Sequence, residues 1–220
     1  MATGTLFEME SQQNLNYGRS LTEEYKPTRI ADFVGLTKEK KILSAFVKNP
    51  KPCAILLQGA SGTGKSTMAE AVARELDATV WRIPSQECRV DKIAEVSSHC
   101  HYVPRAGLAG FHVVIVDEAD VMTPQAQLAL LSKLDGSDPC PSTIWVFTCN
   151  ATDRLEERFL SRCAIKLDFN SYGASAEIAE LLAKIWQAKA GDAPAPNFKK
   201  LACGNLRESL QRLETELLAV

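Results

Sequence analysis

The sequence predicts an α/β sandwich with a mostly parallel sheet, followed by a small helical segment. Three observations carry this. Short, continuously apolar runs recur along the first 170 residues, as expected of strands buried on both faces. Each of the earlier runs is followed by a stretch of helical periodicity, the alternation that builds parallel sheets. After about residue 170 only helical patterns remain.

Taken in order, residues 1–20 are polar and aperiodic and are expected to be a flexible arm. Over 38–48, Ile42, Leu43, Phe46 and Val47 recur at helical spacing until the prolines at 50 and 52 stop the helix. The run 53–58 (CAILLQ) reads as a buried strand, and a Gly-rich turn leads from it into a helix with Met68, Ala69, Val72, Ala73 and Leu76 on one face. Strands are predicted at 79–83, 111–118, 142–150 and 164–169, and helices at 90–99 and 124–134. Two amphipathic helices close the chain. One, over 174–189, carries Ile178, Leu181, Leu182 and Ile185; the other, over 205–219, carries Leu206, Leu210, Leu213 and Leu217. Residues 191–197, with two prolines, form a loop between them. The change of pattern near 169–173 divides an α/β domain over 21–170 from a helical domain over 171–220.

Composition excludes several function classes. With 45% hydrophobic and 24% charged residues the chain is neither disordered nor fibrous. Its 25 basic and 27 acidic residues give a net charge of −2, so bulk charge does not wrap nucleic acid; any polyanion site must be local. The seven cysteines contain no Cys-x-x-Cys pair and read as reduced thiols, with Cys149 and Cys163 packed as small apolar groups. The cluster Cys88, His99, Cys100 and His101 has no spacing that would aim several ligands at one ion. No secretory signal or membrane span is apparent, and a cytoplasmic protein is expected.

The chemistry is concentrated in two motifs. Residues Gly59, Ala60, Ser61, Gly62, Thr63, Gly64, Lys65 and Ser66 match G-x-x-x-x-G-K-[ST] between a buried strand and a helix beginning at Ser66, and with Thr67 they are the expected nucleotide-binding residues. Glycines there allow backbone N–H groups to turn inward around phosphate oxygens, and the helix adds its positive end. Lys65 is placed to reach the β- and γ-phosphates of ATP, and Ser66 to ligate Mg2+. The second motif is the apolar strand that ends in Asp117 and Glu118, beside the first at the carboxyl end of the sheet. Asp117 suits holding Mg2+, directly or through the ion's other ligands, and Glu118 suits polarising a water for attack on the γ-phosphate. A small-molecule kinase does not need that glutamate, so the pair favours hydrolysis.

The combination resembles the AAA+ ATPases, and among them the small ATPase subunits of sliding-clamp loaders, over Leu21–Leu218. The resemblance implies a P-loop NTPase three-layer sandwich, with five parallel strands in the order 5-1-4-3-2 and a helical lid domain. The residues Glu24–Pro27 and Ile30–Gly35 are similar to the family's adenine-binding box, which implies that Tyr25, Pro27, Val34 and Gly35 enclose the base; as residues alone, Tyr25 and Val34 could equally be core. Asn150, closing a strand as the family's sensor 1 does, would meet the γ-phosphate or the attacking water. Ser161-Arg162-Cys163 resembles the arginine-finger motif, which implies that Arg162 acts on a neighbouring subunit's ATP, although by itself it is an ordinary surface arginine. Gly204-Asn205-Leu206-Arg207 is similar to sensor 2, with Arg207 directed at its own subunit's phosphates.

By the same resemblance, Arg89, Lys92, Ser97, Thr123 and Gln125 fall where clamp loaders touch DNA. The implied partners are other AAA+ subunits in a homo- or hetero-oligomer, primer-template or duplex DNA, and a sliding clamp, with no membrane. Such a subunit is cytoplasmic, nucleoid-associated or nuclear. The family's C-terminal collar domain has no expected counterpart before Val220. That departure keeps open a regulatory or DNA-remodelling AAA+ switch of the transposition, initiator or helicase-loading type, forming a ring or filament.

Overall fold

The computed structural model describes residues 19–104, 110–135, 140–171 and 175–219. Five strands form one sheet: β1 (Cys53–Gln58), β2 (Thr79–Pro84), β3 (His112–Asp117), β4 (Thr143–Cys149) and β5 (Cys163–Asp168). All pairings are parallel and the order is β2-β3-β4-β1-β5, which is the predicted order read from its other edge. The central strands β3 and β4 are buried almost throughout, which is why each reads as an apolar run at its middle, Val113–Val116 and Ile144–Phe147. The edge strands β2 and β5 alternate instead, since only one face of each meets the core.

Side-chain parity splits the core into two layers. Ile55, Leu57, Val113, Ile115, Ile144 and Val146 face one way, towards α2 (Thr37–Lys48) and α3 (Lys65–Glu75). Leu56, Val114, Val116, Trp145 and Phe147 face α4 (Val90–Cys100), α5 (Pro124–Leu134) and α6 (Glu157–Arg162). The first layer continues without a break into the C-terminal helices α7 (Ser175–Ala190), α8 (Phe198–Leu201) and α9 (Leu206–Leu217) through Ile178, Leu182, Ile185, Leu210 and Leu213. Trp186 pins the intervening loop, donating to the Ala193 carbonyl at 3.4 Å and meeting Phe198 edge-on.

Several short elements were not expected, among them α1 (Leu21–Glu24), a 3-10 turn over Ile30–Asp32, α6 and α8. Caps and tertiary contacts hold them. The Ser20 hydroxyl accepts from the Glu23 amide, and the Leu21 amide is bound by Glu214 of α9 at 3.2 Å. Arg19 and Ser20 therefore belong to the folded part; the rest of the expected arm lies outside the described residues. Among the described residues no helix is long and apolar enough to cross a membrane.

The buried thiols behave as apolar groups. Burial pushes Cys88 and Cys149 up to about 11 and Cys163 up to about 12. For an acid whose pKa is raised on folding, the stabilisation is complete below the unfolded-state thiol pKa, about 8.5, and is lost as the pH climbs towards the folded value. The urea midpoint is therefore expected to hold between pH 7 and 8 and to fall above about pH 9, with only the exposed Cys203 alkylated quickly in native protein at neutral pH.

Candidate functional site

The candidate site gathers at the carboxyl ends of β1, β3 and β4. The loop after β1 is tied to β4 by the Gly59 amide, which donates to the Cys149 carbonyl at 3.1 Å. Gly59 admits no side chain, because a Cβ there would lie 2.8 Å from the Cβ of Phe169. Gly62 has φ +80° and sits against the Asn205 amide, so both its backbone and its space call for glycine. Asn205 caps α9 and donates to the Ser61 carbonyl at 2.9 Å, joining the C-terminal helices to the loop.

Lys65 opens α3 and folds back into the loop. Its ammonium donates to the carbonyls of Gly59 (2.7 Å) and Ala60 (2.8 Å) and to Asn150 Oδ1 (3.2 Å). Only 8% exposed, it has its pKa lowered by burial, an effect that Cys149, Asp120 and Glu118 oppose and Arg207 reinforces. A cation satisfied by neutral acceptors at the mouth of an anion-shaped loop is ready to exchange them for phosphate oxygens.

The next residue links the two motifs. Ser66 Oγ donates to Asp117 Oδ1 at 2.6 Å, and Thr148 Oγ donates to the same oxygen at 3.2 Å while accepting from the Glu118 amide at 3.1 Å. Glu118 leaves β3 in the left-handed region, φ +53° and ψ +50°, a conformation a glutamate adopts only when its surroundings impose it. Its carboxylate is exposed. Asp120 Oδ1 is buried and lacks a hydrogen-bond partner among the described residues, one turn from Glu118. A hydroxyl and carboxylates form the hard oxygen set that Mg2+ prefers.

A cleft of about 300 Å³ opens beside this cluster. One wall is Tyr25, Lys26, Pro27 and Phe33; the floor is Gly62–Gly64, Ser66 and Thr67; the far wall is Leu206, Arg207 and Leu210 of α9. Apolar groups dominate the two walls, while charge gathers at Lys26, Glu70, Arg82 and Arg207. Burial alone would push the Glu70 carboxyl up, but hydrogen bonds from Lys26 and Arg82 outweigh it and hold the carboxyl below its ordinary value.

Several expected residues lie elsewhere. Val34 and Gly35 are not among this cleft's lining residues: the Gly35 amide is committed to Glu177 Oε2 at 2.6 Å, and Val34 lines an adjoining groove that shares Tyr25, Lys26, Pro27 and Leu206 with the cleft. Arg162 lies outside its own chain's cleft, at the end of α6, ion-paired through two nitrogens with Asp135 and donating to the Arg158 carbonyl at 2.8 Å.

Of the five residues expected at DNA, Ser97 is a correction. It is 1% exposed, because Ile93, Val96, Ser97 and Cys100 form the core-facing stripe of α4, and it cannot touch a bound duplex. Lys92 is paired with Glu95 at 2.9 Å, and the Thr123 hydroxyl caps α5 by accepting from Ala126 at 3.2 Å. Arg89 and Gln125 are exposed.

The sequence assigned no role of their own to Phe33, Glu70 and Arg82, which line the cleft, or to Thr148 and Asn205, which hold Asp117 and the loop beside it. Asn205 had a detectable signal, an Asn three residues before Glu208 at the start of an amphipathic helix. Arg82 had another, an arginine inside an otherwise apolar strand.

Comparison with known proteins agrees with this geometry. Residues 55–171 match the family described as "ATPase family associated with various cellular activities (AAA)". A replication factor C small subunit of Methanoregula boonei is 30% identical over 149 residues, 65% of this chain and 46% of that protein. Replication factor C small subunit 2 of Pyrobaculum islandicum is 30% identical over 200 residues, 87% of this chain and 62% of that protein. This chain thus spans about half to three-fifths of the length of these relatives. Among solved structures, the Thermotoga maritima RuvB Holliday junction branch migration motor superposes with a TM-score of 0.70 at 18% identity, over 86% of this chain and 64% of that one, a likeness of fold.

Proposed function

Because this chain belongs to the AAA family of ATPases, we propose that its cleft binds Mg2+ and ATP and hydrolyses ATP to ADP and phosphate, as one subunit of a clamp-loader-like oligomer acting at DNA. The observation that carries the catalytic half is the 2.6 Å bond from Ser66 to Asp117, which joins the phosphate loop to the acidic strand end in one cluster. In this reading the amides of Gly62–Gly64 and the first turn of α3 receive the phosphates. Lys65 exchanges the Gly59 and Ala60 carbonyls for β- and γ-phosphate oxygens. Ser66 and Asp117 hold Mg2+, whose charge offsets that of the phosphates.

Glu118 orients a water against the γ-phosphorus and accepts its proton as the bond to the leaving ADP oxygen breaks. Asn150, released by Lys65, holds that water or a γ-oxygen. Tyr25 and Pro27 flank the base. Arg207 reaches the phosphates from α9 of the same chain, so the helical segment over 171–220 works as a lid whose closure completes the site. Arg162 serves the ATP of a neighbouring copy.

A nucleotide titration tests the site. Lys65→Ala is expected to weaken ATP binding by about a hundredfold, the scale of removing one partner of a buried charge-assisted contact. Unchanged affinity would overturn the assignment.

The assembly half draws on the printed names of the relatives, replication factor C small subunits. Native mass measurement with ATP and primer-template DNA, with and without a candidate clamp, tests it; a clamp-bound, DNA-stimulated oligomer is expected. One observation favours a second reading, a regulatory switch or DNA-remodelling ATPase that assembles with ATP. With Ser97 buried and Lys92 paired, the strip assigned to DNA is thinly cationic. An ATP-dependent ring or filament indifferent to any clamp is the result that would select it.

A further inference from the structure

Arg82 has no part in the roles assigned above, yet it is turned into the cleft. It lies on the edge strand β2, opposite Ile115 of β3, on the face that α3 covers. Its guanidinium donates to Glu70 Oε1 and lies 3.8 Å from Asp117 Oδ2. Because Asp117 Oδ1 is already taken by Ser66 and Thr148, the oxygen facing Arg82 is the remaining one. Arg82 is therefore one carboxylate away from Ser66, at the end of the cleft where the loop would set the terminal phosphates.

We propose that Arg82 is a phosphate contact in cis, held by Glu70 and Asp117 until nucleotide binds and then transferred to the terminal phosphate of a nucleoside triphosphate, so that it sets preference for triphosphate over diphosphate. The inference rests on the nucleotide reading of the cleft. Three features make the transfer cheap. The side chain is 44% exposed and needs no repacking to turn. The approach to Asp117, at 3.8 Å, is a loose ion pair rather than a forked one. Glu70 keeps Lys26, 2.6 Å from its other oxygen, so losing Arg82 does not strand a carboxylate. A terminal phosphate offers the planar guanidinium two oxygens of higher charge density than either carboxylate shared with other partners.

Competition titrations of ATP and ADP against a fluorescent nucleotide test this with the full chain. Arg82→Gln is expected to weaken ATP by about tenfold, the scale of one charge-assisted hydrogen bond, and ADP by less than about twofold. Arg82→Lys should recover part of the loss, and Glu70→Gln should leave ATP binding at least as tight as before. The selective loss should persist in EDTA, since the contact is made by the side chain itself. ATP and ADP weakened alike, neither weakened, or a loss seen only with Mg2+ would each overturn the proposal. Lys65→Ala run in parallel separates the two levels. If it binds both nucleotides normally the cleft reading fails; if it loses both while Arg82→Gln shows no selectivity, only the role of Arg82 fails.

Discussion

Glu118→Gln is expected to bind ATP normally while turning it over about a hundred to ten thousand times more slowly, the range that positioned proton transfer contributes. The amide keeps the size of the carboxylate and can still donate to or accept from a water, but it cannot take the water's proton. Nothing in the cleft's binding surface is removed, because the Glu118 carboxylate is exposed and the residue's link to the site is its amide, bound to Thr148. The left-handed turn at Glu118 is a backbone property that glutamine tolerates equally. Fold and affinity are thus expected to survive together. The check is a pair of measurements on one preparation, a nucleotide titration and a single-turnover phosphate-release assay. Normal release with normal binding would remove Glu118 from the chemistry and turn attention to Asp120, whose buried oxygen lacks a hydrogen-bond partner among the described residues.

The contrast between Glu118 and Arg82 shows what kind of information the chain carries openly. The phosphate loop and the acidic strand end are contiguous in sequence, and their chemistry depends on local spacing, so their residue types announce them. The central strands announce themselves for a similar reason, since burial on both faces leaves them an apolar middle, Val113–Val116 and Ile144–Phe147, with polar His112, Thr143 and Thr148 kept towards the ends. Arg82 depends instead on three elements meeting: β2 as an edge strand, α3 above it and the N-terminal segment carrying Lys26. No window of sequence contains that encounter.

Ser97 failed for the opposite reason. A resemblance placed it on an outer face, whereas its helical phase with Ile93 and Cys100, readable from the start, puts it inside. Gly35 illustrates a third limit. Its backbone was expected to help enclose a base, yet its amide is bound by a carboxylate from α7, 142 positions along the chain. Local pattern predicts which groups are available, and the tertiary fold decides which are already taken.

Mixing experiments on Arg162 carry the second large effect. Alone, Arg162→Ala is expected to lower turnover about a thousandfold or more, the scale of an arginine finger, with ATP affinity little changed because the side chain lies outside its own cleft. Alone, Lys65→Ala is expected to be inactive at ATP concentrations that saturate the unaltered chain but lie below its own weakened affinity. In a head-to-tail assembly, an Arg162→Ala subunit still binds ATP and a Lys65→Ala neighbour still offers its arginine. A random equal mixture should therefore rebuild about a quarter of the interfaces and recover turnover in proportion.

The ion pair with Asp135 does not oppose this. It is exposed, and its hydrogen bonds raise the pKa of an arginine that is charged at every working pH in any case. A pair so screened by solvent yields readily to a partner's phosphate. Salt should weaken assembly-dependent turnover before it weakens nucleotide binding, because salt screens a solvent-exposed guanidinium such as Arg162 more than it screens the buried Lys65 of the phosphate loop. Turnover that stays at the level of the separate variants after mixing, under conditions where native mass shows mixed oligomers, would mean that Arg162 does not act across an interface. The resemblance that suggested it would then describe the motif but not the mechanism.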